Sequence, residues 1–161
     1  MALIVETGAI IAGANSVVSD VEYVAYAVTK GLTIGATADD RKLELLQGMD
    51  YIISREHDLQ GSRKAQEQTL PYPRINVMLY GWLAPSDSVP VNFKNAQMEA
   101  AAFAHTSALL TNTTVTNIKS AQVDVIKTEY FAGGSRSNVS LQRVNAWLSP
   151  LMMDFSKTVL S

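Results

Sequence analysis

The sequence predicts a mainly α fold, a small helical domain of about four helices with a short β-hairpin and extended N- and C-terminal arms. Three observations carry that prediction. Ser19-Asp20-Val21-Glu22 has the S-x-x-E form of a capping box directly ahead of an apolar run. Two longer stretches, Thr37 to Arg55 and Pro90 to Leu110, repeat apolar residues near the helical period. Gly31 and Pro150 stand where helices should stop.

Residues 1 to 18 are apolar but punctuated by Gly8, Gly13 and Asn15, which predicts an extended arm with turns, packed either on its own core or on a neighbouring subunit. The first helix follows the capping box, with Val21, Val24, Ala25 and Val28 at helical spacing and Gly31 as its stop. The second starts at Thr37 to Asp40 and continues through Leu43, Leu45, Leu46, Met49, Tyr51, Ile52 and Ile53 to about Arg55. Gly48 inside it costs about 1 kcal/mol against alanine, so it marks close packing by another element or a kink.

From His57 to Pro90 the glycines and prolines exclude a long regular element, yet Leu70, Tyr72, Trp82 and Leu83 are too apolar for a free linker. A long ordered loop is expected, and loops of this length in compact domains are commonly functional. A third, core helix runs from about Pro90 to Leu110, with proline in its first turn and alanines that let neighbours approach closely. Val123-Asp124-Val125 alternates within a β-branched and aromatic stretch from Val115 to Phe131, which predicts the hairpin, turning near Lys119 to Ala121. Val139, Leu141, Val144, Trp147 and Leu148 form a short fourth helix stopped by Pro150. Residues 1–150 thus form one helical domain with its N-terminal arm, and residues 151–161 a C-terminal tail.

A length of 161 residues favours one domain with its own core. The net charge of −2 supplies no overall basic field of the kind that drives sequence-independent nucleic-acid binding. With no cysteine, the chain has no disulfide, thiolate zinc site or cysteine nucleophile. The N-terminus lacks the positive region of a secretory signal, and no apolar run approaches the ~20 residues that span a bilayer, so a soluble protein made in the cytoplasm is expected, without a membrane partner. A hydrophobic share of 47% beside only 17% charged residues is what a partner-covered surface or a large core would leave.

Chemistry-bearing patterns are sparse. His57 and His105 fall in no metal-ligand spacing; the first reads as part of a solvated charged helix end, the second as a satisfied interior or interface histidine. There is no G-x-S-x-G elbow, no phosphate-binding loop and no G-x-G-x-x-G. Asp39, Asp40 and Glu44 resemble paired carboxylates, but as acids in a first helical turn they complement the helix dipole. No enzyme activity and no cofactor is therefore expected. One mild basic cluster remains, Arg55, Arg63, Lys64 and Arg74 with Tyr72 and Tyr80 near, which in a ring would be multiplied by the subunit number.

The order Glu6-Thr7-Gly8, Ala14-Asn15-Ser16 and Val18-Ser19, then an acidic, tyrosine-containing helix, is followed by Leu43, Leu46, Asp50 and Ile52-Ile53. Gln60-Gly61-Ser62-Arg63, Gln68, Leu70-Pro71-Tyr72-Pro73-Arg74 and Val89-Pro90 ahead of Ala96, Glu99 and Ala100 continue it. Over roughly residues 1 to 150 this order resembles the head-tail connector or head-completion proteins of tailed bacteriophages, often labelled "DnaT-like ssDNA-binding" in phage genomes. Tyr72 stands where that family often has tryptophan.

The resemblance implies a mostly helical adaptor forming a homo-oligomeric ring, twelve-fold in that family, in the virion neck. Its partners would be the portal protein and tail or other neck proteins, with non-specific contact to double-stranded genomic DNA in the channel. Three groups of residues are assigned on this basis. Trp147, Leu151, Met152, Met153 and Phe155 are candidates for portal or neighbour-subunit contact. Pro71, Tyr72, Pro73 and Arg74 form a structural loop, with Arg74 paired to a carboxylate or carbonyl. Arg55, Arg63 and Lys64 are candidates for the DNA channel. The alternatives are a single-stranded DNA-binding module and another virion or tail structural protein.

Overall fold

In a computed structural model, residues 2–110 and 141–153 are described. The order is α1 (Asp20–Lys30), α2 (Ala38–Ile53), β1 (Ser62–Arg63), β2 (Arg74–Ile75), β3 (Met78–Leu79), β4 (Trp82–Leu83), α3 (Val91–Thr106) and α4 (Gln142–Leu148). Single 3-10 turns lie at Glu56–Asp58 and Ser149–Leu151. The fold is a small mainly α domain, with four helices and two small antiparallel strand pairs, β1 with β2 and β3 with β4, among the described residues.

Both early helices start as the sequence dictates. Ser19 Oγ accepts the Glu22 N–H while the Glu22 carboxylate takes the Ser19 N–H, and Thr37 and Asp40 repeat this reciprocal cap on α2. Gly31 ends α1 in the left-handed conformation, where its N–H reaches Ala27 and Val28 carbonyls. The expected apolar stripe of α1 is not the one it buries. Val21 and Val28 are 77% and 78% exposed, whereas Tyr23 and Ala27 face the core. The helix is apolar on two sides, and the large ring of Tyr23 removes more surface from water than a valine would.

The main packing contact joins α2 to α3. A Cβ built on Gly48 would stand 2.8 Å from the Ala101 nitrogen and 2.9 Å from the Gln97 oxygen, so the glycine marks backbone-to-backbone approach, and α2 runs through it unbroken. Ala100 and Ala101 present no bulk at the crossing. Gln97, fully buried, satisfies its amide three times: Oε1 accepts the Val17 N–H at 3.0 Å, and Nε2 donates to Ser16 Oγ at 2.8 Å and to the Leu45 carbonyl at 3.0 Å.

Those bonds place the N-terminal arm on its own core. Ala14, Val17 and Val18 are buried there, and Val5 pairs with Ser16 in a parallel bridge. The buried Glu6 carboxylate accepts the N–H groups of Gly8, Ile10 and Ile11 at 2.7 to 3.0 Å, which turns the chain around a single anion.

Three expectations change. α3 ends at Thr106, not near Leu110: Ser107 is extended, its N–H making the last helical bond to the Phe103 carbonyl, to which Thr106 Oγ1 also donates. The fourth helix begins at Gln142, and Pro150 diverts it into the 3-10 turn. The strand pairs lie within the 57–90 segment, where strands of two residues are too short for alternation to register. The hairpin expected between Val115 and Phe131 lies outside the described residues.

Gly48→Ala tests the crossing. Helix propensity alone favours the alanine by up to about 1 kcal/mol, yet the added methyl must push backbone apart, a cost of about 1–3 kcal/mol. A net loss of stability, read as a lower urea midpoint at unchanged m-value, is expected.

Candidate partner-binding surface

The 57–90 segment is built around Arg74. Its guanidinium is buried and donates through Nε to the Gln60 carbonyl at 2.7 Å, through Nη2 to Gly61 at 2.8 Å and to Leu59 at 3.4 Å. Nη1 reaches Glu56 Oε1 at 3.2 Å and the Pro71 carbonyl at 3.4 Å. Glu56 in turn is clasped bidentately by Arg63, at 2.6 and 2.5 Å, while Arg63 also donates to the Gln68 carbonyl. One carboxylate thus holds two arginines, and the Arg63 hydrogen bonds are the main reason its pKa lies below the usual 4.5, against the opposing effect of burial.

Leu70, Pro71, Tyr72 and Pro73 are buried beneath this cluster, Tyr72 against Phe93 with ring centres 4.5 Å apart. The Tyr72 hydroxyl has no hydrogen-bond partner among the described residues, and burial pushes its pKa up to about 12. Gln68 ties the segment together, its Nε2 donating to the Leu70 and Pro73 carbonyls.

The candidate channel cations are therefore differently disposed from a phosphate-binding patch. Arg63 is held by Glu56, and Arg55 lies along Asp58 at 3.4 Å. Lys64 alone of the three is exposed and without a side-chain partner among the described residues. Asp39 pairs with Lys42, Asp40 completes the α2 cap, and His57 is solvent-exposed. Glu44 does not belong to the first turn of α2. It is a buried carboxylate that accepts from the Tyr23 hydroxyl at 3.0 Å and the Gly35 N–H at 2.8 Å, with His105 Nδ1 at 2.7 Å. Among the described residues no cluster of acids and histidines could hold a metal ion.

The candidate C-terminal anchors also lie elsewhere than on a free tail. Leu151 is fully buried in the core, and Trp147 is half-buried with the Lys30 ammonium 6.0 Å from its ring centre. Met152 bridges to Leu59, and the Gln60 amide donates to the Pro150 and Met152 carbonyls. Met153 is exposed but donates its N–H to the Asp58 carbonyl. Phe155 lies outside the described residues. Pro150 stops the helix as the sequence indicates; the chain then folds back because Gln60 and Leu59 offer backbone and amide partners that no local pattern announces.

What stands out of the molecule instead is the β3–β4 hairpin. Met78 pairs with Leu83 and Leu79 with Trp82 around Tyr80-Gly81, both at positive φ as a type I′ turn requires. Buried Val77 anchors its base, Gln60 Oε1 accepts the Met78 N–H at 3.1 Å, and Asn92 Nδ2 donates to the Tyr80 hydroxyl at 2.9 Å. Yet Tyr80, Trp82 and Leu83 are 72%, 80% and 67% exposed. Solitary exposed apolar residues are ordinary, but Met78, Tyr80, Trp82 and Leu83 exposed together on the two faces of one braced hairpin make it a candidate interaction element. In the sequence Trp82 and Leu83 group with Leu70 and Tyr72 as apolar loop residues; the Tyr80-Gly81 turn is the signal that separates them.

The family described as "Putative DnaT-like ssDNA binding protein" matches residues 1–160. The chain belongs to that family. No curated protein and no solved structure matches it.

The arginine cluster can be tested from both sides. Arg74→Ala should cost about 3 kcal/mol or more, since it strands buried carbonyls and half of an ion pair, whereas Tyr72→Phe, which removes an unpartnered hydroxyl, should melt within about 1 kcal/mol of wild type. The stabilisation from Glu56 is complete above its ordinary pKa of 4.5 and is lost as pH falls through its lowered folded value. Denaturant titrations from pH 6 to pH 3 should therefore show a shallower acid-side loss in Glu56→Gln than in wild type.

Proposed function

We propose that this protein is a structural, non-catalytic adaptor of a tailed-phage neck, one copy of a ring beneath the portal that joins head to tail around the DNA channel. The observation that carries the reading is the braced hairpin with Tyr80, Trp82 and Leu83 in solvent, beside arginines that are already neutralised by the protein's own carboxylates. A surface of that kind favours protein over phosphate. Burying each aromatic ring removes about 150–250 Å² from water, and repetition around a ring turns a modest gain per copy into strong avidity. The order of residues shared with connector proteins, and the lack of a basic field at net charge −2, support the same reading.

The family's description favours a second reading, single-stranded DNA binding, and the exposed rings of Tyr80 and Trp82 are what a base could stack on. The two separate by experiment. Size-exclusion chromatography with light scattering, with and without purified portal, should show a complex with portal in wild type and its loss in Trp82→Ala. Fluorescence anisotropy with an oligonucleotide should show weak binding that disappears between about 50 and 200 mM salt. Portal-independent, salt-resistant oligonucleotide binding that falls about tenfold or more in Trp82→Ala would establish the second reading instead, since stacking is worth about 1–3 kcal/mol per base.

A further inference from the structure

At the far end of α3 from the hairpin lies a groove of about 470 Å³, with apolar walls from Leu32, Ala102, Phe103 and Val144 and two charged groups, Glu99 and Arg143. The Glu99 carboxylate is almost fully buried. Its Oε1 accepts from the Tyr26 hydroxyl at 2.9 Å, while Oε2 has Arg143 at 3.5 Å and no closer donor among the described residues. The groove therefore offers an apolar slot, a spare carboxylate acceptor at depth and a guanidinium at the rim.

Trp82 carries the complementary set: a large apolar face, one N–H donor and a ring face that attracts cations. We propose that Trp82 of one copy seats in this groove of the next copy, with the indole N–H directed to Glu99 and the Arg143 guanidinium over the ring. The proposal deepens the ring-adaptor reading and rests on it.

Placement along α3 makes the contact intermolecular. The hairpin turn is bonded to Asn92 in the first turn of α3, and the groove takes Phe103 and Thr106 from its last. At 1.5 Å per residue Glu99 lies about 10 Å and Thr106 about 20 Å along the axis from Asn92, and Trp82, 80% exposed, is not among the residues that line the groove of its own molecule. Donor and acceptor surfaces are thus different patches of one molecule, which is the heterologous arrangement that closes into rings. The bracing by Val77, Gln60 and Asn92 fixes the tryptophan before it meets its partner, and a central aromatic in a pocket is the usual form of an energetic hot spot.

The lack of any cysteine in the sequence gives a test free of background. Leu83→Cys and Thr106→Cys chains, each confirmed as folded by circular dichroism, are mixed and treated with a short bis-maleimide. A cross-linked heterodimer joining position 83 of one chain to position 106 of the other is expected in the mixture, a ladder beyond dimer in the double variant, and at least a tenfold loss of product when Trp82→Ala is added to the Leu83→Cys chain. Gln142→Cys at the rim serves if Thr106→Cys does not fold. Failure to form the hetero product with and without portal, or formation only of a symmetric product linking the two 83 positions, overturns the contact. In that case loss of portal binding or of oligonucleotide binding by Trp82→Ala assigns the hairpin to that occupant. Failure of the neck reading is seen separately: a ladder from a protein that never binds portal keeps the contact and removes the neck, whereas portal binding without a ladder does the reverse.

Discussion

At Gly48 the backbones of α2 and α3 come so near that no side chain fits between them, and the rest of the domain is arranged by that approach. It brings Gln97 under the start of the chain, where one amide satisfies Val17, Ser16 and Leu45 together. A buried amide with a full set of partners specifies a single arrangement, because any shift of arm or helix would leave a polar group unpaired in a dry place. The arm is thereby fixed to α3, and α3 carries Asn92 and Phe93, which position the hairpin and the Tyr72 loop at one end.

Charge is used in the same inward manner. Glu6 gathers backbone N–H groups, Glu44 ties α1 to the end of α3 through Tyr23 and His105, and Glu56 gathers two arginines. Burial together with the Glu44 charge raises the Tyr23 hydroxyl far above its ordinary pKa, so it acts as a donor at any working pH. With these acids and bases committed to holding loops, what the hairpin surface has left for recognition is apolar. That is consistent with a role in which copies meet one another and a protein partner, and only incidentally a phosphate backbone.

Helix starts were legible because a capping box is local: four residues contain the whole signal, and Ser19 and Thr37 both behaved accordingly. Close packing at Gly48 was legible for a similar reason, since glycine inside a helix needs a cause. The faces were not. Val21, Val24 and Val28 form as good a stripe as Tyr23 and Ala27, and only the tertiary partner Glu44 decides between them. The pairing of Arg74 with a carboxylate and carbonyls was legible from its proline-flanked loop, whereas Arg63 reads as a channel cation because its carboxylate, Glu56, is brought to it by folding, not by spacing. The tail reads as an anchor for another subunit for the same reason: its partners in the chain, Leu59 and Gln60, stand some 90 residues earlier. The Tyr80-Gly81 turn was readable in principle, but Trp82 and Leu83 resemble core residues until the hairpin is seen to point outward.

The pairing of Leu59 with Met152 has a consequence for biosynthesis. A nascent chain emerges from the ribosome N-terminus first and folds domain by domain. Here α1, α2 and α3 can collapse around Gly48 and Gln97 as soon as α3 is clear of the exit tunnel, but the 57–61 backbone and the pocket for Leu151 stay open until the last turn has been made. Completion of the domain therefore waits until Met152 has emerged, and a ribosome that stalls before it holds a chain whose core is exposed and whose hairpin base is only half braced. Quality control that recognises exposed apolar surface would then clear such unfinished copies before they accumulate.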